Sequence, residues 1–180
     1  MRAPDDGRVR EPDDRLGSPA WRIERADPGE AGPLALLGAH LDRMRSISPP
    51  ESVHALDLDG LRGGGIAFFA LREGTETLAI GALKRPVGGD RAHGEIKSMH
   101  VAAAHRRRGL ARAVLERLLA EARANGLCRV SLETGSTPHF APARALYAAH
   151  GFADCGPFAG YGPDPHSHFM TRELQGPPEN

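Results

Sequence analysis

Apolar and polar positions change their period several times along this chain, and each change marks an element. Trp21-Arg22-Ile23-Glu24 alternates as a short strand does, and Asp27-Pro28 behind it is a common way to open a helix. Leu34, Leu37, Leu41 and Met44 then recur at helical spacing until Ser46-Ile47-Ser48-Pro49-Pro50-Glu51-Ser52 breaks the run. A second short helical piece is expected from Val53 towards Leu61, ahead of Gly63-Gly64-Gly65. Two apolar runs, Ile66 to Leu71 and Leu78 to Leu83, flank Arg72-Glu73-Gly74-Thr75-Glu76 and predict an antiparallel hairpin with a Gly-containing turn. After the Gly-rich loop Pro86 to His93, a further strand is expected over Glu95 to Val101. The strongest helical pattern follows, because Leu110, Ala111, Val114, Leu115, Leu118, Leu119 and Ala122 share one face, with Gly126 placed to stop it. Val130 to Glu133 reads as a strand and Ala141 to His150 as a helix closed by Gly151. Strands are expected from Phe152 onward and near His168 to Leu174. The sum is a mixed α/β pattern.

Composition narrows this without redirecting it. With 180 residues, 40% of them hydrophobic, the chain suits one globular domain, expected over residues 20–176. Residues 1–19 are rich in Asp, Arg, Pro and Gly and have little to bury, so they read as a disordered leader, and 177–180 as a flexible tail. Lys plus Arg and Asp plus Glu are 23 each, which removes the global basic field that drives nonspecific nucleic-acid binding. Two cysteines, Cys128 and Cys155, are too few for a disulfide scaffold, and a reducing cytoplasm fits best. No apolar stretch approaches the roughly 18 to 20 residues a membrane span needs, so no membrane partner is expected.

The long helix opens on Arg106-Arg107-Arg108-Gly109, whereas the helix dipole favours acidic residues in a first turn. Free N–H groups at a helix start form an anion site, and a glycine lets a phosphate approach the backbone. A solvated basic run is the competing reading. A Walker loop is excluded, since no Gly-Lys-Ser/Thr ending is present, and a dinucleotide fingerprint is excluded by the single glycine.

Arg106-x-x-Gly109-x-Ala111 resembles the Arg/Gln-x-x-Gly-x-Gly/Ala motif of the GCN5-related N-acetyltransferases (GNAT). Leu132-Glu133-Thr134-Gly135 and Ala143-x-x-Leu146-Tyr147-x-x-x-Gly151-Phe152 resemble two further signatures of that family, in its order. The resemblance runs from about Ile66 to Leu174. It implies an α/β fold with a mixed, mostly antiparallel central sheet flanked by helices, whose fourth and fifth strands splay apart to admit the pantetheine arm of acetyl-CoA. Backbone groups of Met99, His100 and Val101 would bond that arm, and those of Arg106, Arg107, Arg108, Gly109, Leu110 and Ala111 the pyrophosphate. Phe140 stands where many relatives carry an Asn, so one side-chain contact to the donor is missing.

The resemblance also implies the chemistry: transfer of an acetyl group from acetyl-CoA directly to a primary amine of a small-molecule or amino-acid-like acceptor. Tyr147 is the expected proton donor to the CoA sulfur, with helix packing as its alternative role. Glu95 is a candidate general base, against a surface ion pair with Lys97. Regular alternation puts Glu95, Lys97, Met99 and Val101 on one side and His100 on the other; the bulge expected in the family's fourth strand would reverse that parity. His100 is a further candidate base, or a structural histidine. Glu133 could hold the acceptor amine or pair with an arginine. Glu51 and Asp164 could attract a cationic amine, and Tyr161 lies in a loop expected to face substrate. His166-x-His168 lacks further ligands, and no metal is expected. A homodimer is compatible with this reading. The alternative function is a non-catalytic acyl-CoA-binding sensor or docking module.

Overall fold

The computed structural model describes residues 21–49 and 58–174. Its elements are β1 (Trp21–Arg25), α1 (Ala31–Ile47), α2 (Leu58–Arg62), β2 (Ile66–Glu73), β3 (Glu76–Lys84), β4 (His93–Val101), α3 (Leu110–Ala124), β5 (Arg129–Gly135), α4 (Ala141–Ala149), β6 (Ala153–Cys155) and β7 (Ser167–Glu173). The expected leader and tail, Glu51, and the start of the helical piece at Val53 lie outside the described residues; only its end, α2, is seen.

The strands form one sheet in the order β1-β2-β3-β4-β5-β7-β6. Every neighbouring pair is antiparallel except β4 and β5, which run parallel. The β2–β3 hairpin turns at Gly74, whose φ of 57° is the left-handed conformation such a tight turn requires. Parallel pairing of β4 with β5 needs a long crossover, and α3 supplies it.

Each face of the sheet carries its own apolar cluster. On one face α3 lays Leu110, Val114, Leu115, Leu118, Leu119 and Ala122 over Phe69, Leu71, Leu83 and Ile96. Gly81 makes this contact close: a Cβ there would sit 2.6 Å from a methyl of Val114. On the other face Leu37 of α1 and Leu61 of α2 pack on Phe68, Ile80 and Ala82.

Two local expectations are corrected. Asp27-Pro28 does not open α1, which begins at Ala31; the Asp27 carboxylate accepts the Gly29 N–H at 2.8 Å, and the chain makes a turn before the helix starts. Phe152 belongs to the core, and the strand after it is three residues long. In the sheet, β7 lies between that strand and β5.

Candidate active site

Between β4 and β5 the sheet opens. Their ladder runs from His93 opposite Arg129 to Ile96 opposite Leu132 and then stops, although the strands continue to Val101 and Gly135. At the point of separation β4 bulges. Ile80 faces His100 and Ala82 faces Lys97, so Ser98 and Met99 together occupy the place opposite Gly81, with Ser98 at φ 54°.

The bulge decides which side chains meet. Paired residues share a face of a sheet, so Glu95 and Lys97 join the Ile80–Ala82 side beneath α1, and beyond the bulge His100 returns to it. Met99 and Val101 fall on the α3 side. Uninterrupted alternation would have separated His100 from Glu95.

The opening is a cleft of ≈ 420 Å³ that passes from one face of the sheet to the other. His40, Arg43 and Met44 of α1 line its one end with Lys97 and His100; Ala111, Ala143 and Tyr147 line the other; Glu133, Thr134 and Gly135 of β5 form a side. Phe140 covers Gly135 so closely that a Cβ at that position would lie 2.2 Å from the ring. The residue that replaces the family's Asn therefore serves as an apolar wall of the cleft.

Tyr147 is buried on α4, and its hydroxyl lies 3.8 Å from Met99 Sδ. Burial, with the Glu133 carboxylate nearby, pushes its pKa up to about 12, so the hydroxyl keeps its proton throughout the neutral range. Glu133 lines the cleft and accepts a hydrogen bond from Ser167 Oγ at 2.8 Å.

Glu95 and Lys97 form an ion pair at 3.1 Å that is buried rather than on the surface, with both side chains less than a tenth exposed. Tyr161 closes the group: its hydroxyl donates to Glu95 Oε1 and receives Lys97 Nζ at 2.6 Å. Burial and the Glu95 charge drive the Tyr161 pKa far up. The loop that carries Tyr161 is anchored by Phe158, which meets Tyr161, Phe169 and His93 edge on or tilted. Lys97 lines the cleft, and Glu95 and Tyr161 stand behind it.

His40 and His100 meet at a tilt of 54°, with ring centroids 5.3 Å apart. Burial lowers both pKa values to about 4, helped by His100, Arg43 and Lys97 around His40 and by Arg106 and Arg43 around His100. Both rings are therefore neutral at pH 7. His40 Nδ1 and Ser98 Oγ are buried with no hydrogen-bond partner among the described residues.

At the start of α3, Gly109 adopts φ 78° with open space where a Cβ would stand. The first turn carries no acidic residue and no side-chain cap, which leaves its N–H groups available to an anion. The three arginines divide. Arg106 lines the cleft and Arg107 is exposed, whereas Arg108 is tied to Glu73 at 2.9 Å and to His105 Nδ1 at 2.8 Å.

Asp164 accepts the His166 N–H at 2.8 Å and so shapes its own loop. His166 reaches the cleft, while His168 pairs with Asp154 at 2.9 Å, which separates the two histidines. Sequence reading passed over His40, Arg43 and Ser98. The first two were legible in principle, since they lie three apart on α1 next to Met44; Ser98 depends on a bulge that periodicity does not locate.

A mixed sheet, an uncapped helix start and a cleft between splayed parallel strands together make the frame of an acyl-CoA-dependent transferase fold. Residues 35–152 match the acetyltransferase (GNAT) family. The chain is 50% identical over 141 residues to the uncharacterised N-acetyltransferase YsnE of Bacillus subtilis (strain 168), covering 78% of this chain and 91% of that protein. It is 40% identical to the IAA acetyltransferase of Azospirillum brasilense, over 87% of this chain and 99% of that one. Among solved structures, YncA of Salmonella typhimurium, determined with its cofactor acetyl-CoA, has the same fold, with a TM-score of 0.66 and 21% identity over 89% of this chain and 97% of that chain. The chain belongs to the GNAT family and is an acetyltransferase.

Proposed function

We propose that this enzyme moves an acetyl group from acetyl-CoA directly onto a primary amine of a small molecule, with Tyr147 as the proton donor. The observation that carries the reading is the Tyr147 hydroxyl, buried, protonated and lying at the opening between β4 and β5. The first turn of α3 fits the donor's pyrophosphate through its N–H groups, with Gly109 leaving room and Arg106 adding charge. Met99 to Val101, freed from β5, offer backbone groups to an extended arm.

Acetyl-CoA supplies the activated acyl group. Glu133, on the wall of the cleft, holds the acceptor amine, which attacks in its neutral form. The C–N bond forms, the C–S bond breaks, and its electron pair goes to sulfur. Tyr147 gives its proton to that sulfur and recovers one from the nitrogen, so both products leave neutral at the reacting atoms. Glu95 and Tyr161 are positioning residues that fix the Lys97 ammonium in the cleft wall.

Incubating the full chain with acetyl-CoA and a panel of small primary amines, while free thiol is measured, tests the reading. Acceptor-dependent thiol release supports it. Acetyl-CoA binding with no release from any amine would instead make the fold an acyl-CoA sensor.

A further inference from the structure

Among the described residues, the charges that line the cleft are not balanced: Arg43, Lys97 and Arg106 stand against one carboxylate, Glu133. Two of these cations are accounted for: Lys97 is paired with Glu95, and Arg106 belongs to the turn assigned to the donor's phosphates. Arg43 is different. It is half-buried, lines both the cleft and the adjoining hollow over Ala102 and Ala103, and its guanidinium makes no hydrogen bond or ion pair among the described residues. Its helix neighbour Asp42 is exposed and lies nearer Arg45, at 3.9 Å.

A half-buried guanidinium has lost part of its hydration and gains most from a planar anion that can accept two parallel N–H bonds. The surroundings suit one. Ser98 Oγ and His40 Nδ1 are buried without partners on the same cleft wall, polar atoms whose desolvation nothing in the described chain offsets. Arg43 also contributes to the field that keeps the imidazoles of His40 and His100 uncharged, so the local potential is positive with no protonated histidine needed.

We infer that the acceptor carries a carboxylate seated on Arg43 in addition to the amine held near Glu133, so that the substrate class is a small amino acid rather than a plain amine. This rests on the transferase reading above and deepens it. Glu133 and Arg43 both line the cleft, one on β5 and one on α1, which suits an acceptor with its amine towards Glu133 and its carboxylate towards Arg43. The same arrangement disfavours polyamines, whose second cation would meet Arg43.

The test compares L-amino acids with their carboxamides as acceptors for the full-length protein, following thiol release. Each pair shares its carbon skeleton, and rates are compared per neutral amine because the carboxamide's amine is the less basic. The free acids are expected to exceed the carboxamides in kcat/KM by at least about tenfold, the effect of one charge-assisted pair. Arg43→Gln is expected to raise KM for the acids and reduce the preference to within about twofold, while Arg43→Lys keeps part of it. Equal use of acids and carboxamides by the wild type, or an undiminished preference in Arg43→Gln, overturns the inference and leaves the transferase reading standing. Absence of thiol release from every amine brings down the transferase reading, and this inference with it. Thermal melting checks that Arg43→Gln is folded; if it is not, the wild-type comparison and Arg43→Lys decide.

Discussion

Burial acts on the histidines and the tyrosine of the cleft in opposite directions because it disfavours whichever form is charged. It strips the proton from His40 and His100 and keeps it on Tyr147. For the histidine pair this has a thermodynamic consequence. Their folded pKa of about 4 lies below the ordinary 6.5, so the unfolded chain binds protons that the folded chain refuses. Their contribution to stability is complete above about pH 6.5, is lost as the pH falls towards 4, and does not change below that. Thermal melting between pH 8 and 4 is predicted to show a smaller acid-side decline in a His40→Gln/His100→Gln double variant than in the wild type. Equal declines would contradict the assignment. At this scale the sequence pointed to Tyr147 and Glu133, which line the cleft, and to the uncapped start of α3, through their neighbours in the chain. It did not reach the bond between Tyr161 and Glu95, which joins residues 66 positions apart through a loop with no period of its own.

Helix α3 is at once the pillar of one core cluster and the frame of the proposed phosphate site. Its buried face holds it to the sheet, and its first turn, entered through the left-handed Gly109, is left open. A carboxylate there would oppose an anion, and a side chain at φ 78° would strain the turn. Gly109→Glu is predicted to weaken acetyl-CoA binding, measured by titration calorimetry, by at least about a hundredfold; retained affinity would move the phosphate site elsewhere. Helix α3 was legible because it buries one complete face, and the β2–β3 hairpin because its strands are apolar runs buried on both faces. The start of α1 was not, since the Asp27 side chain satisfies the Gly29 N–H and holds the chain in a turn where a helix could have begun.

The whole molecule depends on an interruption: β4 and β5 pair for four residues and then separate, and the cleft occupies the gap. The splay of these two strands was implied by family resemblance and not by periodicity, which carries no information on which strands lie side by side. The bulge at Ser98 then sorts the cleft's side chains, turning Met99 towards Tyr147 and His100 towards His40. On this account the donor enters from the α3 side, the acceptor from the α1 side, and Tyr147 serves the bond broken between them. The turnover of Tyr147→Phe tests this most directly, since the change removes one hydroxyl and keeps the ring that packs on Phe152. The account predicts a fall in kcat of about a hundredfold or more, larger than any rise in KM for acetyl-CoA. Turnover equal to that of the wild type across pH would contradict it.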